Sequence, residues 1–156
     1  MKPTSIEIIE KLQKAGHQAY WAGGCVRDLL LGQDPQDIDI VTNAQPEQIE
    51  ALLEHTIPIG KQFGVILAIV NHHHFEIATY RKDSQTSDGR RPHSIEYSTS
   101  AEDAKRRDFT INGLFYDPTA KKVYDYVGGQ QDLKAKLIRF IGDPNQRIAE
   151  DHLRIL

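Results

Sequence analysis

The sequence predicts an α+β fold in which helices pack on a mixed or antiparallel sheet. Stretches with helical periodicity are interspersed with β-rich runs, two of these runs form a hairpin pattern, and no regular strand–helix–strand alternation is present. The chain has 156 residues, of which 39% are hydrophobic, so it is long enough to bury a core. We expect one domain, or one domain followed by the start of another.

Three helices and two short strands are predicted in the first half of the chain. Residues 4–7, Thr-Ser-Ile-Glu, have the form of a capping box, and apolar residues follow at helical spacing up to Gly16, which ends the first predicted helix. The elements predicted after it are a strand over 17–22, a helix over 26–31, a strand over 37–41 and a helix over 46–53 that has Pro46 in its first turn.

The second half of the chain begins with a predicted hairpin. Residues 65–70 and 75–81 are rich in β-formers, and Asn71-His72-His73-His74 joins them. Residues 82–93 are polar and contain Ser, Asp, Gly and Pro, so a mobile loop is expected there. The remaining predictions are strands over 95–99 and 109–116, helices over 101–107 and around Leu133, and a last helix from Asn145.

Composition and charge narrow the class of protein. The formal net charge of −3 argues against a large nucleic-acid footprint within these residues. The single cysteine, Cys25, excludes an internal disulfide and favours a reducing compartment. No apolar run approaches the roughly 20 residues of a membrane span, and residues 1–18 lack the apolar segment of a signal peptide. We expect a cytoplasmic protein without a membrane partner.

Two aspartates one residue apart, Asp37 and Asp39, form the first candidate site. Residues two apart in a strand point to the same side, so both carboxylates are expected to project together while Ile38 and Ile40 face the core. Adjacent carboxylates repel each other unless a cation lies between them, and Mg²⁺ prefers such oxygen ligands. Taken alone, the pair is equally compatible with two surface aspartates at a strand edge.

A glycine pair precedes these aspartates. Gly23 and Gly24 lie between a predicted strand and a predicted helix, where glycine lets the backbone approach a phosphate closely. Arg27, in the first turn of that helix, can donate a charge-assisted pair of hydrogen bonds to a triphosphate. The alternative is a tight turn followed by a solvated arginine. Since both features fall within residues 23–41, nucleotide and metal binding together is the favoured interpretation.

Four segments occur in a defined order: GGCVRD at 23–28 with DID at 37–39, FEIATYR at 75–81, RRDFTIN at 106–112 and EDHLR at 150–154. Together they resemble the motifs of the tRNA nucleotidyltransferase and poly(A) polymerase family, in its bacterial-type (class II) CCA-adding branch. The resemblance implies a polymerase β-like nucleotidyltransferase head over residues 1–140. It also implies that residues 141–156 are the truncated start of a helical neck.

The resemblance further implies a reaction, which is template-independent transfer of CMP and AMP from CTP and ATP to the 3′ end of tRNA with release of pyrophosphate. Two Mg²⁺ ions, or Mn²⁺ in their place, would be the cofactors. Asp37 and Asp39 would be the catalytic metal ligands, and Gly23, Gly24 and Arg27 would hold the triphosphate.

Two further segments contribute candidates. Glu76 takes the opposite face of its strand from Ile77, and is either a third metal ligand, if that strand neighbours Asp37 and Asp39, or an exposed glutamate. The resemblance makes Arg107 a nucleotide ligand and leaves Arg106 ambiguous. We expect Asp108 to fix either the local backbone or the arginine beside it, and Asn112 to hold structure and not to touch substrate.

The last motif offers a way to select bases. Asp151 and Arg154 lie three residues apart, on one face of a helix. Cytosine and adenine both present an amino group beside a ring-nitrogen acceptor, which a carboxylate and an arginine would satisfy together. Uracil and guanine reverse this order and would leave both groups wrongly paired. In isolation such a pair is ordinarily an intrahelical salt bridge, and only the accompanying motifs support base reading.

Three alternatives remain open. The motifs do not separate a CCA-adding enzyme from an A-adding, CC-adding or poly(A) polymerase relative, and a nucleotide-binding piece without catalysis is also compatible with them. The loop over 83–93 resembles one that helps such enzymes to change from C to A addition. Because the family continues into helical regions that contact tRNA, we expect this chain to bind tRNA weakly.

Overall fold

The computed structural model describes residues 1–83 and 95–142. The helices in these ranges are α1 (Lys2–Lys14), α2 (Gly24–Leu30), α3 (Pro46–Leu52), α4 (Ser100–Lys105) and α5 (Gly129–Lys134). The strands are β1 (Ala19–Ala22), β2 (Asp39–Thr42), β3 (Thr56–Gly60), β4 (Val65–Val70), β5 (His73–Thr79), β6 (Arg81–Asp83), β7 (Ile95–Tyr97), β8 (Leu114–Asp117) and β9 (Lys122–Asp125). Short 3₁₀ turns cover Lys61–Phe63 and Thr110–Asn112.

Seven of these strands form one sheet in the order β3-β4-β5-β2-β1-β8-β9, and β6 pairs with β7 separately. The β2–β5 pair is parallel, whereas the other pairs in the large sheet are antiparallel. The predicted α+β class with a mixed sheet and flanking helices is therefore confirmed. The predicted hairpin is confirmed as well, because Asn71 and His72, with φ of 52° and 66°, form the tight turn between β4 and β5.

One face of the sheet carries the larger core. Ile8, Ile9 and Leu12 recur at helical spacing along α1, and all three are at most 1% exposed. They pack on the sheet beside Trp21, whose indole N–H donates to the Ser5 hydroxyl at 3.0 Å. This contact satisfies the polar end of a ring that is otherwise buried among apolar side chains.

The opposite face carries a second core, and α4 covers it. Its buried members are Tyr20, Ala22, Val41, Tyr80, Ala104 and Phe115. Since side chains alternate along a strand, Asp39 lies on the same side of β2 as Val41, at the start of that strand. This face of the sheet therefore carries the predicted site.

The predicted capping box at Thr4 is wrong. Helix α1 begins at Lys2 with Met1 as its N-cap, and Pro3 occupies its first turn. Thr4 and Ser5 are buried instead of capping, and the Ser5 hydroxyl donates to the Lys2 carbonyl oxygen at 2.6 Å. Packing of this turn against the sheet outweighs the local sequence signal.

The predicted strand over 109–116 is only partly correct. Residues Thr110–Asn112 form a 3₁₀ turn, and β8 begins at Leu114. The Thr110 hydroxyl donates to the buried Asp132 carboxylate at 2.6 Å, and Phe109 forms a β-bridge with Phe140. These long-range contacts bend the chain where its local composition favours an extended strand. Strands β3 and β9 are additional elements that the sequence pattern did not predict.

Several predictions fall outside the ranges that the structure describes. They are most of the predicted loop, over 84–93, and the predicted helix from Asn145, which contains the motif at 150–154. Lys82 and Asp83 were also predicted to lie in the loop, but they belong to β6. The head boundary at residue 140 stays a prediction. Among residues 1–83 and 95–142, no helix has the length and apolar character that crossing a membrane requires.

The core around β5 leads to a first prediction. Ile77 is fully buried between the sheet and its helices, so Ile77→Ala should lower the free energy of unfolding by about 2–5 kcal/mol through lost burial and the cavity left behind. Ile138 is 69% exposed, and Ile138→Ala should change it by less than about 0.5 kcal/mol. Equal effects of the two substitutions in chemical denaturation would contradict this core.

The start of α5 leads to a second prediction. Burial acts to raise the pKa of Asp125, but backbone N–H groups of Val127, Gly128, Gly129 and Gln130 donate to its carboxylate and hold the pKa below its ordinary value. Asp125→Ala should therefore cost about 1–2 kcal/mol of stability at pH 7, as loss of a helix cap does.

This cost should depend on pH. Because the folded-state pKa is depressed, the stabilisation by Asp125 is fully present above the unfolded-state pKa of about 4 and disappears as the pH falls through the lower folded-state value. Urea denaturation at pH 7, 5, 4 and 3 measures it. Asp34→Ala, at an exposed carboxylate, serves as the control. If the difference in free energy of unfolding between wild type and Asp125→Ala increased as the pH fell, this role of Asp125 would be ruled out.

Candidate active site

A pocket of about 340 Å³ opens on the second face of the sheet. Its lining combines backbone from a glycine turn with carboxylate, amide and guanidinium groups. The residues are Gly23, Gly24, Arg27, Asp39, Arg106, Arg107, Asp108 and Asn112. Five of the residues predicted to form the site thus surround a common space.

The glycine turn forms one wall of this pocket. Gly23 has φ of 77° and ψ of −136°, a conformation that residues with a Cβ rarely adopt. Its N–H donates to the Leu114 carbonyl oxygen at 3.1 Å, which ties the turn to β8. Helix α2 begins at the next residue, Gly24, so the turn and the first helical residues present their backbone to the pocket.

Arg27 extends from α2 along this wall. Its Nη1 donates to the Asn112 side-chain oxygen at 2.9 Å, and its Nε and Nη2 each lie 3.3 Å from the Asp28 carboxylate. The side chain remains 34% exposed. An amide and a carboxylate therefore orient the guanidinium at the pocket without removing it from solvent. Asn112 thus has a structural contact with Arg27, and it also lines the pocket.

Arg107 also lines the pocket, and it lies just beyond the end of α4. Its Nη2 is 3.2 Å from the Asp103 carboxylate, and its guanidinium carbon is 5.3 Å from the centre of the Phe115 ring. Burial lowers the pKa of the Arg107 guanidinium from its ordinary value, and the charge of Asp103 opposes this effect. The guanidinium remains protonated, because an arginine in a protein does not lose its proton.

Strand pairing places two carboxylates side by side. The parallel pair β2–β5 aligns Ile40 with Ile77, so the preceding residues, Asp39 and Glu76, are neighbours where the two strands meet. The pKa of Asp39 is raised by partial desolvation in the pocket and then by the charges of Asp37 and Glu76, while Arg107 counteracts the rise. Negative charge is thus concentrated around Asp39.

Asp37 does not occupy the predicted strand position. Strand β2 begins at Asp39, and Asp37 lies in an exposed bend two residues earlier. The predicted strand start at residue 37 is therefore wrong, but the expected alternation is present: Ile38 and Ile40 are buried in the larger core, whereas Asp37 and Asp39 are exposed. After burial, the charge of Asp37 contributes to the raised pKa of Asp39, so the two charges are close.

The donor set suits a hard divalent cation. In the described part of the chain, no three His, Cys, Asp or Glu side chains are grouped closely enough to form a ready-made metal cage. Mg²⁺ does not require one, because it is ordinarily held by one or two carboxylates together with water and substrate phosphates. Burial first, and then the charges of Asp37 and Glu76, raise the pKa of Asp39. A bound cation would compensate this excess of negative charge.

Asp103 is a site residue that the sequence analysis missed. It is completely buried on α4 and contacts both Arg106, at 3.4 Å, and Arg107. The sequence signal for these contacts was the spacing, because Arg106 and Arg107 follow Asp103 by three and four residues, which brings side chains together on a helix. Asp151 and Arg154 lie outside the described residues, so their placement beside the pocket stays a prediction.

Two remaining groups near the site have structural contacts. The Asp108 carboxylate accepts a hydrogen bond from the Phe109 N–H at 2.7 Å, which fixes the local backbone as expected. The Cys25 thiol donates to the Ala22 carbonyl oxygen at 3.3 Å, and burial raises its pKa to about 11. A thiol with that pKa is a poor nucleophile at neutral pH.

The chain is similar to proteins of known activity. It is 43% identical to a CCA-adding enzyme of Staphylococcus aureus (strain MRSA252) over 150 residues, which are 96% of this chain and 37% of that protein. Among solved structures, it superimposes on the Bacillus stearothermophilus CCA-adding enzyme in complex with CTP with a TM-score of 0.87 and 34% identity, over 98% of this chain and 36% of that one.

A second solved structure with this fold is a tRNA nucleotidyltransferase complexed with a primer tRNA and an incoming ATP analogue. The TM-score is 0.75 at 29% identity, over 95% of this chain and 42% of that one. The chain thus spans less than half the length of each of these three proteins.

The family model for the poly A polymerase head domain matches residues 19–139. That range runs from the start of β1, through the glycine turn and the strands that carry Asp39 and Glu76, to the segment after α5. The chain belongs to the poly A polymerase head domain family.

Proposed function

We propose that this chain is the catalytic head of a CCA-adding tRNA nucleotidyltransferase. It transfers CMP and AMP from CTP and ATP to the 3′ end of tRNA and acts in the cytoplasm. The observation that carries the proposal is the pocket in which Gly23, Gly24, Arg27, Asp39 and Arg107 converge. The names of the similar enzymes, and the CTP and ATP-analogue complexes among them, support this choice of substrates.

The reaction forms one bond and breaks one. The terminal 3′-hydroxyl oxygen of the RNA attacks the α-phosphorus of the nucleotide, the bond between that phosphorus and the oxygen bridging to the β-phosphate breaks, and pyrophosphate leaves. The hydroxyl proton passes to solvent. Charge accumulates on the phosphate oxygens as the bond breaks, so the residues that hold those oxygens determine much of the rate.

The chain's own residues divide into two groups in this reaction. Gly24, at the start of α2, receives the triphosphate with its backbone N–H, while Gly23 shapes the turn and donates its own N–H to Leu114. Arg27 and Arg107, which both line the pocket beside this turn, compensate the charge of the triphosphate. Arg27 remains partly exposed, so it can follow the leaving pyrophosphate, whereas Arg107 is held from behind by Asp103.

Asp37 and Asp39 hold Mg²⁺ in this proposal, and Glu76 is the third candidate ligand because it neighbours Asp39 across the β2–β5 pair. Two bound ions would activate the attacking hydroxyl and neutralise the leaving group. Mn²⁺ has compatible ligand preferences. The raised pKa of Asp39 supports a cation at this place.

Base selection is proposed for the last segment of the chain. Asp151 accepts from the amino group of C or A and Arg154 donates to the neighbouring ring nitrogen, as the resemblance implies. Contacts with the body of the tRNA would come from the parts of the relatives that extend beyond this chain's match.

Nucleotide incorporation tests the proposal directly. The chain is incubated with Mg²⁺, one labelled nucleoside triphosphate and tRNA that ends at the discriminator base, at C or at CC. We expect incorporation of C, then C, then A, and none of U or G. Products are separated on a sequencing gel at single-nucleotide resolution.

Matched variants separate catalysis from folding. Asp39→Asn and Asp37→Asn should each lower transfer at least about 100-fold, because a metal ligand is lost, while Asp34→Asn, at an exposed aspartate, should not. Addition of A alone, C alone or long A tracts would identify a specialised relative. Binding of CTP without any transfer would identify a nucleotide-binding head that does not act alone, and full activity of Asp39→Asn would refute the metal assignment.

The carboxylate cluster should also limit stability. Because desolvation and the charges of Asp37 and Glu76 act against ionised Asp39, Asp39→Asn should raise the Tm by about 1–4 °C in EDTA. Mg²⁺ with CTP should raise the Tm of the unaltered chain more than that of the variant, since the variant has lost a ligand. Thermal melts measure both effects, and a lower Tm for Asp39→Asn in EDTA would show that the cluster is not strained.

A further inference from the structure

The Asp103 carboxylate is a buried charge near the pocket that accepts several hydrogen bonds. Its side chain is 0% exposed, beneath α4 and against the second core. It accepts hydrogen bonds from Arg107 Nη2 at 3.2 Å, from Arg106 Nε at 3.4 Å and from the Arg81 backbone N–H at 3.0 Å. A carboxylate removed from water is tolerated only with such partners, so α4 cannot carry this residue without the arginines that follow it.

The arrangement of Arg107 depends on this contact. In the ranges that the structure describes, its Nε is buried without a hydrogen-bond partner, and Phe115 lies 5.3 Å from its guanidinium carbon. An aromatic ring attracts the cation but does not define the rotation of the guanidinium in its own plane. The hydrogen bond to Asp103 does define it, because it fixes Nη2 to a buried carboxylate that does not line the pocket.

The other terminal nitrogen then has a defined position. Arg107 Nη1 lies against the glycine turn, where a Cβ on Gly23 would be 3.5 Å away from it. This is the wall that presents backbone to the pocket. Asp103 thus turns one nitrogen of Arg107 inward and leaves the other beside the proposed triphosphate position.

We propose that Asp103 is a positioning residue for nucleotide binding, which acts through Arg107 by holding the guanidinium with Nη1 toward the glycine turn. The inference rests on the proposed function, since the ligand that Arg107 meets is the triphosphate. A residue that merely neutralised Arg107 would have the opposite effect on affinity. It would weaken the attraction of the pocket for an anion, and its removal would strengthen binding.

The experiment measures the Kd of the Mg²⁺–CTP complex by calorimetry for the unaltered chain, Asp103→Asn, Arg107→Gln and the double variant. Asp103→Asn should weaken binding at least about fivefold, because the freed guanidinium no longer faces the ligand. In the Arg107→Gln background the same substitution should change the Kd by less than about twofold, since its target is gone. Asp103→Glu, which keeps the charge but displaces the carboxylate by one methylene, should weaken binding as well.

Asp117→Asn is the matched control. Asp117 is also a buried aspartate, and it accepts from Thr119 and Gln13 away from the pocket. We expect this variant to lose stability and to keep its CTP affinity. If Asp103→Asn does not fold, Asp103→Glu takes its place in the cycle with the same expected loss.

The outcomes separate the two proposals. Tighter or unchanged CTP binding by Asp103→Asn, or an equal loss in both backgrounds, overturns the positioning role and leaves the proposed function standing. No CTP binding by the unaltered chain overturns the proposed function and this inference together. If Asp117→Asn lost as much CTP affinity as Asp103→Asn, general destabilisation of the fold would explain the effect, and the inference would also be overturned.

Discussion

The position of β2 between β1 and β5 is the constraint on which the site depends. Antiparallel pairing aligns Asp39 with Ala22, the residue before the glycine turn, and parallel pairing places Asp39 beside Glu76. Ile40 and Val41, the next two residues, belong to the cores on opposite faces of the sheet. Burial of these two side chains therefore holds Asp39 at the pocket, and a shift of one residue in register would turn it away.

Carboxylate and guanidinium groups lie close together at this pocket. Asp39 lines the pocket in which a cation and a triphosphate are proposed, with the charges of Asp37 and Glu76 close to it, and Arg27 and Arg107 line the same pocket. Behind the arginines lie their own partners, Asn112 for the first and Asp103 for the second. Both arginines thus have an orienting contact within the protein, so they need little reorganisation when a charged ligand binds.

The segment after α4 shows why local sequence predicts some of this architecture and not the rest. Its β-formers predict a strand over 109–116, yet Thr110 is bonded to Asp132 and Phe109 is bridged to Phe140, both of which lie more than 20 residues away. The resulting 3₁₀ turn brings Asn112 to Arg27. Contacts of this kind leave no periodic pattern in sequence. The capping signal at Thr4 failed for a related reason, because packing decided where α1 begins.

The sequence by itself determined the chemistry available to this protein and the α+β class. Alternating apolar residues, the glycine pair and the acidic and basic residue types are local properties that can be read without coordinates. Only the tertiary structure decided which of these groups meet. It placed Glu76 beside Asp39 through a parallel pair of strands, moved Asp37 out of the strand, and put Asp103 behind Arg107. These placements depend on how segments that are far apart in sequence pack together, because the free energy of burial is gained over the whole core and not residue by residue.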